Sequence, residues 1–488
     1  MIESLFNPGS VAVVGASEVP LKWGTYIASN ILDGKFNGRF YPVNPNVPEV
    51  FGYKTYPSLL DIPEPVDLVF ITTPSKTIMH ILQDCIEKGI TNIVMITSGF
   101  SETGKEGAML ENDIVALAQS RGLHIVGPNT MGIVNTHCSL YATGTITRPK
   151  PGGISIIAQS GNLGFQILEW ARSQNIGISK FVGSGNEAVL KIEDYLEYYK
   201  SDSETKVILM YIEGIDDGKS FVEIAKNTSL KKPIIALKAG RTEIGSKAAA
   251  SHTGALAGSY SVFKGVVQQT GIVLAESPKE LLSLSAAFDS FPLPKGNRIG
   301  IVTLGGGWGV ITADECVERG LLIPELPQSI VEELDKRLPP FWSRGNPVDL
   351  VGQPDFQIFK DAVELMVAND AFDVVIVLGI IGAKVFALRA AESILNLGKM
   401  EKSIYDDFMK SLRVLEKEFL DRLTELMAIY NKPIVTVSFS KSFEDETIHD
   451  CGGRFKCVIY DTPEEAVLCV AKMYNYYNYV TKRSMVYA

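Results

Sequence analysis

The sequence has six cysteines and no C-x-x-C pair among them. Cys451 and Cys457 lie closest together, at a spacing that matches no familiar metal site. This usage excludes a disulfide framework and predicts reduced, mostly buried thiols in a cytoplasmic protein. No apolar run approaches the length of a membrane span, and Met1-Ile-Glu-Ser-Leu lacks the basic start of a secretory leader. A soluble chain with no membrane partner is expected. Excess positive charge is also missing: the formal net charge is −10. A global field of that sign disfavours nucleic acid as a partner, so any anion must be held by a local site. No G-x-S-x-G elbow is present, and no Walker A loop.

What is present is a repeated α/β pattern. A length of 488 residues suggests about three domains, and 46% apolar residues suffice for several cores. In the first third, Ser10–Gly15, Arg39–Val43, Asp67–Ile71, Asn92–Ile96 and His124–Val126 read as buried parallel strands. Each ends in a turn rich in Gly, Pro, Ser, Thr or Asn, which predicts a doubly wound sheet with ligand sites at strand C-termini. A second unit follows Arg148-Pro-Lys-Pro151, with strands at Ile154–Ile157, Lys206–Met210 and Pro233–Leu237. The Pro-rich joint Phe291–Gly296 opens a third, with strands at Arg298–Val302, Asp373–Leu378, Pro433–Val437 and Cys457–Tyr460. Between Lys399 and Tyr430, Ile404, Phe408, Leu412, Leu415, Phe419, Leu423, Leu426 and Tyr430 recur every three or four residues. That spacing predicts an amphipathic helix covering the third sheet, with docking of a partner as the alternative.

The chemistry concentrates in Lys232–Ser259. A strand ends in a loop bearing Lys238, Arg241 and Lys247, and His252 follows with only Ala, Ser, Thr and Gly around it. Small neighbours admit a bulky anion, and a neutral imidazole is a competent phosphoryl acceptor. Composition alone leaves a histidine satisfied in a turn equally open. In the first domain, Gly15-Ala16-Ser17 follows the first strand and opens a helix, so its N–H groups suit a phosphate. The loop is not G-x-G-x-x-G. The second strand ends in Val43-Asn44-Pro45, where an NAD-binding sheet would place an acid on the ribose. An acid there would repel the 3′-phosphate of coenzyme A, and its absence favours coenzyme A over NAD. Ser160, Gly161 and Asn162 start a further helix with free N–H groups, and Glu213 ends a strand as a loop carboxylate.

Ser251-His-Thr-Gly-Ala-Leu-Ala-Gly258, preceded by Leu237-Lys-Ala-Gly-Arg241, resembles the phosphohistidine loop of the NDP-forming acyl-CoA synthetases. The resemblance extends in order through Asn7–Ser17, Tyr41–Pro45, Ile71–Pro74, Ser98–Gly104 and Gly127–Gly132. It implies a Rossmann-like CoA-binding domain (1–135) followed by two flavodoxin-like domains (150–290 and 296–488). It also implies that Gly15, Ala16, Ser17, Val43, Asn44, Pro45, Thr72, Thr73, Pro74, Ser98, Gly99 and Phe100 contact coenzyme A. Pro128 and Asn129 fall at the thioester and acyl-phosphate end. Ser160, Gly161 and Asn162 then hold phosphate against His252, and Glu213 accepts a hydrogen bond from the second imidazole nitrogen. No protein-bound metal is implied.

The implied reaction is acyl-CoA + ADP + phosphate ⇌ carboxylic acid + coenzyme A + ATP, through an acyl phosphate and phospho-His252. The chain has no ATP-grasp portion, so Mg-ADP is expected on a separate β subunit in an αβ or α2β2 assembly. A non-catalytic CoA or acyl-CoA sensor on the same fold is the alternative, and an NAD-dependent oxidoreductase is disfavoured by Asn44. Gly305-Gly-Gly-Trp308-Gly309 departs from the family's commoner Gly-Gly-Pro-Gly turn, and Trp308 is expected to pack into the third core, with the acyl site or a subunit contact as the alternatives.

Overall fold

The computed structural model describes residues 2–247, 259–352, 355–438 and 447–487. The chain divides into two compact units, Met1–Ser285 and Ala286–Ala488. It is an α/β protein: a Rossmann-like sheet is followed by two flavodoxin-like ones.

The first sheet contains β1 (Ser10–Val14), β2 (Arg39–Val43), β5 (Leu68–Ile71), β6 (Asn92–Met95) and β7 (His124–Val126); β3 (Glu49–Val50) and β4 (Tyr53–Lys54) form a separate hairpin. All neighbours in the order β2-β1-β5-β6-β7 are parallel. Val11, Ala12 and Val13 are buried on both faces of the sheet, which is why the strand reads as a continuous apolar run and does not alternate. The order reverses between β1 and β5, and a crevice opens there at the strand C-termini.

The second sheet takes β8 (Gly132–Asn135), β9 (Leu140–Thr143), β10 (Pro151–Ala158), β11 (Ile178–Gly183), β12 (Val207–Ile212), β13 (Ile234–Lys238) and β14 (Val273–Ala275). Its order is β14-β13-β12-β10-β11-β8-β9. The parallel strands again reverse direction of growth between β10 and β12, while β8 and β9 add an antiparallel hairpin beside β11. That hairpin follows directly from β7, so the chain passes from one sheet to the other across a short turn. One apolar core runs through both sheets, joining Val11, Phe70 and Val94 to Ile157, Val182 and Ile208. Asn135 fastens the seam: its amide donates to the Phe6 carbonyl at 3.0 Å and to Asn7 Oδ1 at 2.7 Å.

In the second unit, β15 (Ile299–Thr303), β16 (Val348–Asp349), β17 (Val374–Leu378), β18 (Ile434–Val437), β19 (Ile448–His449) and β20 (Cys457–Tyr460) order as β16-β15-β17-β18-β20-β19. Two expectations change here. The helix Lys402–Tyr430 buries Phe419, Leu420, Leu423, Leu426 and Met427, but Ile404 and Phe408 remain 55% and 39% exposed. At 1.5 Å per residue the helix is about 44 Å long, against about 15 Å for a five-residue strand, so only its second half covers the sheet. Trp308 is 40% exposed, in the first turn of the helix Gly306–Glu318. It lies beyond the C-terminal end of β15, and at that exposure it is not a core residue.

Candidate functional site

Two cavities open at the switch points of the first two sheets. The first, of about 740 Å³, lies beyond β1 and β5 and is lined by Gly15, Ser17, Val43, Asn44, Pro45, Thr72, Thr73 and Pro74 among others. Its floor is set by close backbone approach. Gly15 has φ +91° and donates its N–H to the Val43 carbonyl at 3.0 Å. The helix Trp23–Asp33 packs so tightly on this turn that a Cβ on Gly24 would stand 1.9 Å from the Gly15 carbonyl oxygen. Asn44, the residue in place of an acid, turns its amide to the Ala16 carbonyl at 2.8 Å and braces the same turn. Ala16 itself is buried, and only its backbone takes part.

The second cavity, of about 290 Å³, lies where β10 and β12 diverge. The helix Gly161–Ser173 begins on its wall, with Ser160 as N-cap and no side chain capping the first N–H groups. Those donors and the helix dipole favour an anion there. Asn129, Thr130 and Met131 supply another wall, and Glu213, Gly214 and Asp216 a third. Pro128 lies behind the lining, its carbonyl accepting from Asn186 N at 2.9 Å. Asn129 takes a left-handed backbone (φ +58°), and its amide faces Asn186 Oδ1 at 3.3 Å.

Gln159, between β10 and that helix, organises this second site. Its Oε1 accepts from Glu213 N at 2.5 Å and Gly214 N at 3.0 Å, and its Nε2 donates to Gly214 O at 2.9 Å and Glu187 Oε2 at 3.0 Å. Glu213 is 7% exposed, and burial together with its charge pushes the Tyr211 hydroxyl up to about 12. Trp23 lines both cavities and is the element they share.

Ser98 borders the second cavity, whereas Gly99 and Phe100 line neither; the Phe100 ring is wholly buried in the first domain's core. Both Gly99 and Phe100 donate their N–H groups to Glu102 Oε1, at 2.6 and 3.2 Å. His252 lies outside the described residues. Lys238 is 4% exposed and bonds main-chain carbonyls, Arg241 pairs with Glu276 at 2.7 Å, and Lys247 pairs with Glu243 at 2.8 Å. Burial lowers the Lys238 pKa, and the Glu213 carboxylate opposes that shift.

Sequence reasoning passed over Gln159, Glu187, Met131 and Trp23. Gln159 and Glu187 each sit next to a glycine-bearing turn after a strand, which was the available signal. Among the described residues, no three His, Cys, Asp or Glu side chains gather at metal-binding spacing, and no helix is long and apolar enough to cross a membrane.

Three family models match in succession: a CoA binding domain over residues 9–136, a succinyl-CoA ligase like flavodoxin domain over 151–288, and a ligase-CoA domain over 299–394. The α subunit of the ADP-forming acetate–CoA ligase II of Pyrococcus furiosus is 43% identical over 381 residues, 78% of this chain and 83% of that one. The chain belongs to the NDP-forming acyl-CoA synthetase family. An ADP-forming acetate–CoA ligase of Methanocaldococcus jannaschii is 44% identical over 345 residues; the match takes in 71% of this chain but 48% of that longer one, so this chain corresponds to about half of it. Among solved structures, the acetyl-coenzyme A synthetase 1 of Candidatus Korarchaeum cryptofilum, determined with phosphate and ADP, superimposes with a TM-score of 0.84. It is 32% identical and covers 99% of both chains.

Proposed function

We propose that this chain is the α subunit of an ADP-forming acyl-CoA synthetase, interconverting acyl-CoA, ADP and phosphate with a carboxylic acid, coenzyme A and ATP. One observation carries the reading. A cavity of about 290 Å³ at a helix N-terminus adjoins, through Trp23, a larger cavity of about 740 Å³ built on a glycine turn. The chemistry needs that juxtaposition, since phosphate must reach a thioester whose nucleotide end is held some distance away.

In this scheme the turn at Gly15–Ser17 and the segments at Val43–Pro45 and Thr72–Pro74 hold coenzyme A. A phosphate oxygen attacks the thioester carbonyl near Asn129, and the thiol of coenzyme A leaves. The N–H groups at Ser160–Asn162 stabilise the charge on phosphorus. An imidazole nitrogen of His252 takes the phosphoryl group and releases the carboxylate, while Glu213 holds the other nitrogen. ADP with Mg²⁺ then receives the phosphoryl group on an ATP-grasp partner subunit. The six free thiols support a reducing, cytoplasmic setting.

The test is mass spectrometry at neutral pH on the complex isolated from its own cells, after incubation with phosphate and a panel of acyl-CoA thioesters. Phosphate is expected on His252 with the true substrate. His252→Ala is expected to abolish ATP formation while coenzyme A still binds. No label with any thioester, despite a bound partner and intact CoA binding, would leave the chain a CoA sensor.

A further inference from the structure

The cavity between β10 and β12 is lined by two carboxyls that the scheme above does not use, Glu187 and Asp216, and Asp216 is paired to Lys191 at 2.7 Å. Glu187 follows β11 in the turn Gly185-Asn-Glu, and it adopts φ +55°, a left-handed conformation that costs energy for a residue with a long side chain. The turn is held from behind: Asn186 N donates to the Pro128 carbonyl at 2.9 Å and Ala188 N to the Gly127 carbonyl at 3.1 Å. The backbone is thus fixed by contacts to the loop that carries Asn129, and Glu187 lines the same cavity as the helix start at Ser160–Asn162.

The two carboxyl oxygens differ. Oε2 accepts from Gln159 Nε2 at 3.0 Å. Oε1 is buried and has no hydrogen-bond partner within reach among the described residues. A buried unpaired oxygen is costly, and it becomes favourable once it is protonated and a ligand accepts from it. The charges nearby argue against ionisation. Glu193 and Asp216 raise its pKa, the ionised form also disfavours that of Tyr195, and Glu213 borders the same cavity. Lys191 is the cation on this side, and its ammonium is paired to Asp216 at 2.7 Å. Burial is the largest influence and outweighs the Ser184 and Gln159 hydrogen bonds, so the carboxyl is pushed up to about 7. Ionised, it would repel the phosphate that the helix N-terminus attracts.

We propose that Glu187 acts as a neutral carboxylic acid, donating a hydrogen bond from its carboxyl O–H to an oxygen of the phosphate or acyl phosphate held at Ser160–Asn162. The proton is shared and not transferred, so no bond to hydrogen is broken. The inference rests on the acyl-CoA synthetase reading and adds a ligand-contacting residue to it. It makes phosphate use sensitive to alkaline pH through a group on the enzyme.

The experiment compares wild type, Glu187→Gln and Glu187→Ala as the complete complex, measuring kcat and KM for phosphate from pH 6 to 9 at fixed acyl-CoA. Glutamine keeps a neutral donor of the same length. At pH 6 it is expected to hold kcat/KM for phosphate within about 3-fold of wild type, and at pH 9 to exceed wild type by about 10-fold or more. The titration of phosphate itself is common to both and cancels in their ratio. Alanine is expected to raise the phosphate KM by about 10-fold at pH 6 with the thioester KM unchanged. A glutamine variant as impaired as alanine at pH 6, or a ratio flat with pH, overturns the proposal. Should the alanine variant fail to fold, wild type against glutamine decides alone. A wild-type complex that makes no ATP counts against the synthetase reading itself. Inorganic phosphate binding to the purified chain at pH 6 and 9, by calorimetry, then still tests Glu187: equal loss with pH in wild type and Glu187→Gln sinks it.

Discussion

The ammonium of Lys238 donates to the main-chain carbonyl of Glu213 at 2.7 Å. A second bond, to the Ala239 carbonyl at 2.8 Å, anchors the same ammonium at the end of β13. The cation that the sequence offers to an anion is therefore a clamp on the loop bearing the site's carboxylate.

Replacing Lys238 by Met keeps the length and removes the donor. Two carbonyls then lose a partner, at a cost of about 1–3 kcal/mol each where they stay buried. We expect a lower melting temperature and a kcat reduced by about 10-fold or more, while coenzyme A binds as before. Thermal melts, turnover and CoA calorimetry check this. Unchanged kcat with the lowered melting temperature would show that the Glu213 loop needs no clamp for catalysis.

Gly24 tests the other cavity. A methyl group there meets the Gly15 carbonyl oxygen at 1.9 Å, a backbone atom with little room to yield. Gly24→Ala is expected to destabilise the first unit by about 1–3 kcal/mol and to weaken coenzyme A by about 10-fold or more. Titration calorimetry with coenzyme A measures it. Retained affinity would place the ligand away from the Gly15 turn.

Glu187 also links stability to pH. Its folded carboxyl keeps a proton up to about pH 7, against a reference of 4.5. Between those values the native state binds more protons than the unfolded chain, so stability falls as pH rises from about 4.5 to 7. The full shift corresponds to on the order of 3 kcal/mol. Urea unfolding at pH 5 and pH 8 is expected to show a larger loss in wild type than in Glu187→Gln, which cannot ionise. Equal slopes in the two proteins would remove Glu187 as the source.

The sheets were legible in the sequence because buried parallel strands announce themselves as Val/Ile runs closed by glycine turns, as at Ser10–Val14 and Ile299–Thr303. Asn44 was legible for a chemical reason, the missing acid. The convergence of Gln159, Glu187 and Glu213 was not. They are brought together by the crossovers that place β11 and β12 on either side of β10, and local sequence carries no record of that order. Trp308 and the first half of the helix Lys402–Tyr430 escaped for the opposite reason. Apolar character implies burial only where another layer exists to receive it.

The hairpin β8–β9 and the core it helps enclose join the first two sheets into one compact unit. The compartment built on Gly15 and the compartment built on Ser160 share one set of buried side chains, from Val11 through Ile208. Their separation is then a fixed dimension of the molecule, like the bore of a machined part. Heat or denaturant that opens one opens the other in the same cooperative transition, and neither can be tuned for flexibility without loosening its neighbour.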